Sequence, residues 1–341
     1  MKHYHVIHTT QEFSHLAEEW NTLLKNSASH VPFLRHEFLS TWWETLGGGE
    51  WSSGELCITT AYSEEGRLTG IAPLFYTKNR VGQPALLFLG SIEISDFLDF
   101  IAPPQEMPSF LEGLLPFLAS ADLPAWQILD LYNILENSAS LPALQSAAEA
   151  CGWEYHQEIL SRSPCIPLPS DWETYLASLD KKQRHEIRRK MRRLESQEIP
   201  PRWYVVQDPD SLDEEIEAFF DLMSQDSEKE RFLTPQMRTQ MRTAMWAAFR
   251  AGWLQLAVIE VDGQRAAAYL NFDYGNQIWS YNSGLNFELA ALSPGWVLLS
   301  YLLQWAIEHG RAGFDFMRGE EEYKYRFGAT DRYVMHATVR R

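Results

Sequence analysis

Residues 281–328 read YNSGLNFELAALSPGWVLLSYLLQWAIEHGRAGFDFMRGEEEYKYRFG, and the punctuation of this run decides the fold. Ser293-Pro294-Gly295 marks a helix start. Serine suits an N-cap, proline the first helical position, and glycine lets another group approach the backbone closely. Trp296, Leu299, Leu303 and Ile307, with Val297 and Leu302 beside them, then recur at helical spacing until Gly310. The start of such a helix offers unpaired N–H groups and the positive end of the helix dipole, which suits a phosphate. Beyond it, Phe314-Asp315-Phe316-Met317 reads as a buried strand that delivers Arg318-Gly319 and the charged turn GEEEYKYRFG. A strand, a glycine-opened helix and a second strand ending in polar residues can hold a phosphorylated ligand and set reactive groups beside it.

Working outward, strands are expected at 254–261, 265–272 and 278–282. Asp262-Gly263 joins the first two as a hairpin, and Gly275-Asn276 turns the chain into the third. Ahead of them the pattern gives a strand at 203–207 and helices at 212–223 and 235–251; a last strand is expected at 333–339. The N-terminal half shows the same series, from a strand at 4–7 and helices at 13–24 and 36–46. Strands follow at 56–62, 67–76, 86–89 and 97–101, then a helix at 107–118, a strand at 126–131, a helix at 141–151 and strands at 153–159 and 165–168. The order of elements repeats, which argues for duplication. The expected architecture is therefore α/β with mixed sheets, in two similar domains at 1–168 and 201–341.

Between the halves, residues 181–193 (KKQRHEIRRKMRR) carry eight Lys or Arg and one Glu, a local charge of +7 within a chain of net charge −17. Asp180 is the expected N-cap of a helix, with Gln183 at the capping-box position, and Ile187, Met191 and Leu194 form a narrow apolar stripe. Such a helix can meet the phosphates of a ligand, a tRNA stem or a membrane surface, or be neutralised by the protein's own carboxylates.

At 341 residues the chain exceeds the size at which one core keeps growing, and 45% hydrophobic content supports sizeable cores. The acidic balance argues against a general nucleic-acid coat protein. No run approaches the ~18 apolar residues of a membrane span, and the N-terminal segment lacks an apolar leader core. Three cysteines without metal or C-x-x-C spacing point to a reducing, cytoplasmic setting. Two histidines, His3 and His5, do not make a metal site, and no metal is expected. GGGEW is not followed by a phosphate-loop lysine, and no G-x-S-x-G elbow is present, which favours direct transfer over a covalent enzyme intermediate.

The element order, with SLDKKQRHEIRRKMRRLE, LSPGWVLLSYLLQWAIEHG and FDFMRGEEEYKYRFGA in sequence and FLRHEFLSTWWETLG and GRLTGIAPLFY before them, resembles the GNAT acyltransferases. The resemblance is to those of the CelD/BcsL type, associated with cellulose and exopolysaccharide biosynthesis and related to Fem-type aminoacyl transferases. It covers nearly the whole chain and implies tandem GNAT-like domains joined by the basic helix. It also implies acetyl-CoA or another acyl-CoA as donor, and a small-molecule or glycan-precursor acceptor carrying an amine or hydroxyl. The usual glycine-rich pyrophosphate loop is replaced here by LAALSPGW. Aminoacyl-tRNA is the alternative donor, favoured by the basic helix and disfavoured by the overall charge; a non-enzymatic binding protein on the same fold, its donor binding lost with the glycine-rich loop, is the other alternative.

On this reading Ser293, Gly295 and Trp296, with Arg188 and Arg189, are the expected donor-binding residues. Lys324 is read either as a stabiliser of the tetrahedral oxyanion or as one half of a solvated ion pair with Glu320. Tyr323 and Tyr325 are two apart on a helix, so one of them, Tyr323 by preference, is expected to protonate the leaving thiolate. Asp315, Glu320 and Glu321 are base candidates. Asp315 is alternatively the anchor of Arg318, because a carboxylate in an apolar strand needs a partner. Tyr281, Asn282 and Arg318 are the expected acceptor-side residues. The N-terminal half lacks counterparts of SPG and EEEYKYRFG and is expected to shape the acceptor site without catalysing.

Overall fold

The computed structural model describes residues 2–341, which divide into two units: residues up to 162 together with 332–341, and residues 163–331. The division differs from the expected 1–168, 169–200 and 201–341. The basic helix is built into the second unit, where its apolar stripe finds a core, and the C-terminal strand returns to the first.

The first unit begins with β1 (His3–Ile7), α1 (Thr10–His15), α2 (Ala17–Leu24) and α3 (His36–Gly49). Thr9 and Glu12 start α1 as a reciprocal capping box. Then come β2 (Glu55–Leu56), β3 (Ile58–Tyr62), β4 (Leu68–Ala72), β5 (Leu74–Lys78), β6 (Pro84–Phe88), α4 (Met107–Ser120), β7 (Ile128–Leu135), α5 (Ser140–Ala150) and β8 (Glu154–Pro167). β1, β3 and β4 form one antiparallel sheet. In the other, β2, β5 and β6 run antiparallel, and β6 pairs parallel with β7. The strand expected at 67–76 is split at Pro73, whose nitrogen cannot donate to a ladder.

The strand expected at 97–101 does not form; only Ile101 bridges to Ile71. Asp99, fully buried there, accepts hydrogen bonds from Ser29, Ser138 and the Phe100 N–H, so its side chain organises the segment instead of a ladder.

The second unit contains α6 (Trp172–Ser178), α7 (Lys181–Glu195), β9 (Arg202–Val205), α8 (Leu212–Met223), α9 (Ser227–Phe232) and α10 (Pro235–Arg250). It continues with β10 (Leu254–Val261), β11 (Gln264–Tyr274), β12 (Gln277–Leu285), α11 (Pro294–Glu308), β13 (Gly313–Asp315) and α12 (Glu322–Arg326), before β14 (Thr330–Arg340) leads back to the first unit. The end of β8 pairs antiparallel with β13, β13 runs parallel to β12, and β12, β11, β10 and β9 follow antiparallel. Asp262 and Gly263 both have positive φ, the backbone of the tight hairpin that their sequence announces.

Val297, Leu298, Leu302 and Ala306 of α11 are fully buried, clustered with Ala257, Ile259, Ala267 and Ile278 of the sheet. Each large side chain so buried contributes about 1.5–3 kcal/mol. Ile187 and Leu194 of α7 join this core, as their stripe predicted. Asp180 precedes α7, but its side chain makes no capping bond, so the expected capping box is absent. No helix among the described residues is long and apolar enough to cross a membrane.

Gly284 on β12 packs directly on α8: a Cβ there would lie 2.6 Å from Leu222 Cβ and 2.7 Å from the Met223 backbone nitrogen. Neither atom can move without moving the helix. Gly284→Ala is therefore expected to destabilise the second unit by about 1–3 kcal/mol, measured by chemical denaturation.

In the first unit, His336 on β14 bonds Asp130 of β7 at 2.6 Å and Glu158 of β8 at 3.1 Å. Burial alone would lower its pKa, but the two carboxylates outweigh burial and raise it. The stability it supplies is present in full below the unfolded imidazole pKa of about 6.5 and is lost as pH rises through the higher folded value. Replacing His336 with Gln should flatten the pH dependence of unfolding in that window.

Candidate functional site

The parallel pairing of β12 with β13 ends at Trp279 and Asp315, while β12 runs on to Leu285 along β11. A bulge at Tyr281, where Leu270 pairs with Asn282 but Asn271 with Ser280, twists this free end. The chain then makes a short 3-10 turn (Phe287–Leu292) and enters α11 through Ser293. A pocket of about 300 Å³ opens there, within the second unit. Tyr269, Ser283 and Leu285 of β11 and β12 line it with Ser293, Pro294, Gly295, Trp296 and Leu299 of the helix start, Tyr323 and Phe327 after β13, and Lys190 of α7.

Ser293 occupies the N-cap position in a left-handed conformation (φ 56°, ψ 47°), and its hydroxyl makes no capping bond. A serine cap usually sits in extended backbone. Here the left-handed residue ends the 3-10 turn by donating its N–H to the Ala290 carbonyl and starts α11 at once. Pro294 has no N–H, so the helix start presents the N–H groups of Gly295 and Trp296, which lack an intrahelical acceptor. The group that approaches Gly295 is the Leu285 side chain, 2.4 Å from where a Cβ would stand. Trp296 lines the pocket with its indole nitrogen buried and unpartnered.

The tyrosines divide. Tyr323 lines the pocket, whereas the Tyr325 hydroxyl donates to Asp331 at 2.8 Å. Burial pushes the Tyr323 hydroxyl well above its usual pKa, reinforced by Tyr269 and Glu321. Tyr269 is 6% exposed, and burial raises its pKa too. Both hydroxyls stay protonated at neutral pH.

Lys324 is 2% exposed and its ammonium is committed to the loop before it. It donates to the Arg318 carbonyl at 3.0 Å and the Gly319 carbonyl at 3.1 Å, and pairs with Glu321 at 2.9 Å. It does not line the pocket, and its carboxylate partner is Glu321 rather than Glu320. Gly319, at φ +115°, supplies the backbone that this wrap requires. Asp315 is fully buried and accepts from Ser163, the Met317 N–H and Gln277. Glu320 is exposed and Arg318 half-buried. Tyr281 packs on Phe272 with ring centroids 5.4 Å apart, and Asn282 accepts from the Ser283 N–H. None of Asp315, Arg318, Glu320, Tyr281 and Asn282 lines the pocket.

Of the basic helix, Arg188 pairs with Glu173 and Arg189 with Glu186, and neither lines the pocket. Lys190 does. Its ammonium lies 3.8 Å above the Trp296 ring, and burial lowers its pKa despite Glu186. Lys229 of α9, also lowered by burial, donates to the Ser283 carbonyl and hydroxyl. Sequence reasoning missed Lys190, Tyr269 and Lys229. The position of Lys190, three after Ile187 and beside the apolar stripe, was a usable signal, as was one large residue after three alanines in AAAYL. SEKERF carries no signal for Lys229. Among the described residues no cluster of His, Cys, Asp or Glu could hold a metal ion.

Replacing Lys324 with Met removes the donor to two half-buried carbonyls and the partner of Glu321, so a loss of about 1–3 kcal/mol is expected in denaturant titrations. Arg326→Met removes only an exposed pair with Glu322 and should change stability by less than about 0.5 kcal/mol.

Residues 181–325, less than half of the chain, match the family model of the acetyltransferase (GNAT) domain. FemX superposes with a TM-score of 0.67 at 11% identity, over 98% of this chain and 96% of that one. The C-terminal domain of a putative lysylphosphatidylglycerol synthetase from Agrobacterium fabrum gives 0.58 at 13%, covering 96% and 92%. L-PGS from Bacillus licheniformis gives 0.57 at 15%, covering 95% and 91%. No curated protein matches the chain in sequence. At these identities the likeness is one of fold, and that fold is the GNAT acyltransferase fold.

Proposed function

We propose that this chain is an acyltransferase that moves an acetyl or other acyl group from an acyl-CoA directly to an amine or hydroxyl acceptor. The observation that carries the reading is the start of α11. Gly295 and Trp296, whose N–H groups lack an intrahelical acceptor, line a largely apolar pocket together with two tyrosines and Lys190. A helix start and a cation suit the donor's phosphates, and the apolar walls suit its thioester arm.

In this scheme the acceptor's lone pair attacks the thioester carbonyl carbon, and the carbonyl electrons move onto oxygen. The proton leaving the acceptor passes to water or to a carboxylate, with exposed Glu320 the candidate, because Asp315 is committed to Ser163, the Met317 N–H and Gln277. When the carbon–sulfur bond breaks, its electron pair leaves on sulfur, which takes the Tyr323 proton. Lys324 holds the loop that carries Tyr323. The resemblance of the three C-terminal segments to the CelD/BcsL type favours a sugar or cell-envelope precursor as acceptor, recognised in part by Tyr281, Asn282 and Arg318.

A second reading takes aminoacyl-tRNA as donor. It is supported by the exposed Lys181, Lys182, Arg192 and Arg193 of α7 and by the fold shared with FemX. Thermal-shift titrations with coenzyme A, acetyl-CoA and uncharged tRNA separate the two. A ligand bound only by the folded protein adds about 2.7 kcal/mol at one hundred times its Kd. The acyl-CoA reading predicts saturable stabilisation by coenzyme A that is lost in Gly295→Leu. A salt-sensitive tRNA effect with no response to coenzyme A would put the second reading first.

A further inference from the structure

Tyr269 and Tyr323 line the pocket together with Trp296, whose indole nitrogen is buried there without a protein acceptor. Tyr269 is the informative one. It is nine-tenths buried, stands directly across from Ser283 in the β11–β12 ladder, and lies two pairs beyond the bulge, where β12 has already parted from β13. Its side chain is packed in the core yet also lines the pocket, so its hydroxyl, the one polar atom that distinguishes it from phenylalanine there, is a donor available to a bound ligand. Its neighbour in the pocket is Tyr323, whose pKa is raised first by burial and then by Tyr269. The remaining charged groups around the pair are Glu321 beside Tyr323, Lys190 on the opposite wall, and Lys229 behind Ser283.

We propose that Tyr269 is a further catalytic residue, whose hydroxyl donates to the carbonyl oxygen of the acyl group being transferred. This rests on the acyl-CoA reading and divides the work between the two phenols. As the acceptor's lone pair forms the new bond, the carbonyl electron pair moves to oxygen, and Tyr269 stabilises that oxyanion while keeping its own proton. When the electrons return, the carbon–sulfur pair leaves on sulfur, which takes the proton of Tyr323. The acceptor's proton, taken first by water or a carboxylate, is returned through water to the Tyr323 phenolate, so the sum is thioester plus acceptor giving acylated acceptor plus thiol. A fixed donor aimed at a developing oxyanion in a dry site is worth far more there than in water.

The test uses the full chain and acetyl-CoA labelled with carbon-13 at the carbonyl. Binding is measured by calorimetry, and the carbonyl stretch of the bound thioester by isotope-edited infrared difference spectroscopy. The proposal predicts a red-shifted carbonyl in the wild type that returns towards its solution frequency in Tyr269→Phe, with Kd changed by less than about threefold. Thiol release to hydroxylamine as a surrogate amine should fall by about 10²-fold in kcat. Tyr323→Phe should slow release while leaving the carbonyl shift in place. Tyr269→Leu serves as a second variant should Tyr269→Phe fold poorly. Binding with an unshifted carbonyl, or a shift that survives in Tyr269→Phe, overturns the role of Tyr269 alone. Absence of acetyl-CoA binding by the wild type overturns the acyl-CoA reading and this inference with it.

Discussion

The buried carboxylate of Asp315 is the constraint on which the site depends. A strand that stays parallel to its neighbour leaves no opening at its end. Here β13 pairs with β12 over three residues only, and beyond them the Met317 N–H is taken by the Asp315 side chain, which also accepts from Gln277 and Ser163. Met317 turns through a left-handed conformation, and Lys324 closes the following loop from inside. The free edge of β12, bulged at Tyr281, diverges from it. The start of α11 fills the gap, with Gly295 small enough to lie against Leu285.

Each polar group near the opening can then be sorted by what it touches. Lys324, Asp315 and Tyr325 have protein partners and set the shape of the loop. Tyr269, Tyr323 and Trp296 line the pocket, and the Trp296 indole nitrogen is buried there without an acceptor. The first group resists rearrangement because a buried polar atom that loses its partner is costly. The indole of the second group gains its bond only when something enters. A rigid frame with donors at the pocket wall is what electrostatic preorganisation requires.

Much of the frame was legible because it depends on local rules. Asp262-Gly263 forced a hairpin, Pro294 and the 296–307 periodicity fixed α11, and the Ile187–Leu194 stripe buried one face of α7. The misses share a cause, which is that side chains took over the work of backbone. Asp99 replaced an expected ladder with hydroxyl contacts. Ser293 capped by conformation and not by its oxygen. Lys324 looked like half of a solvated i,i+4 pair, yet its chain runs inward to two carbonyls. Charge density drew attention to Arg188 and Arg189, but carboxylates of the chain itself pair with both. Lys190 reaches the pocket because it lies beside the apolar stripe, and no count of charges reports that.

The claim that the start of α11 is the donor site is tested most directly by amide nuclear magnetic resonance with coenzyme A as the probe. The assigned backbone N–H signals of Gly295 and Trp296 and the indole N–H of Trp296 are the reporters. The account predicts saturable shifts concentrated at these three groups, with smaller ones at Lys190 and Ser283. Shifts clustered elsewhere, or none at saturating coenzyme A, would contradict it.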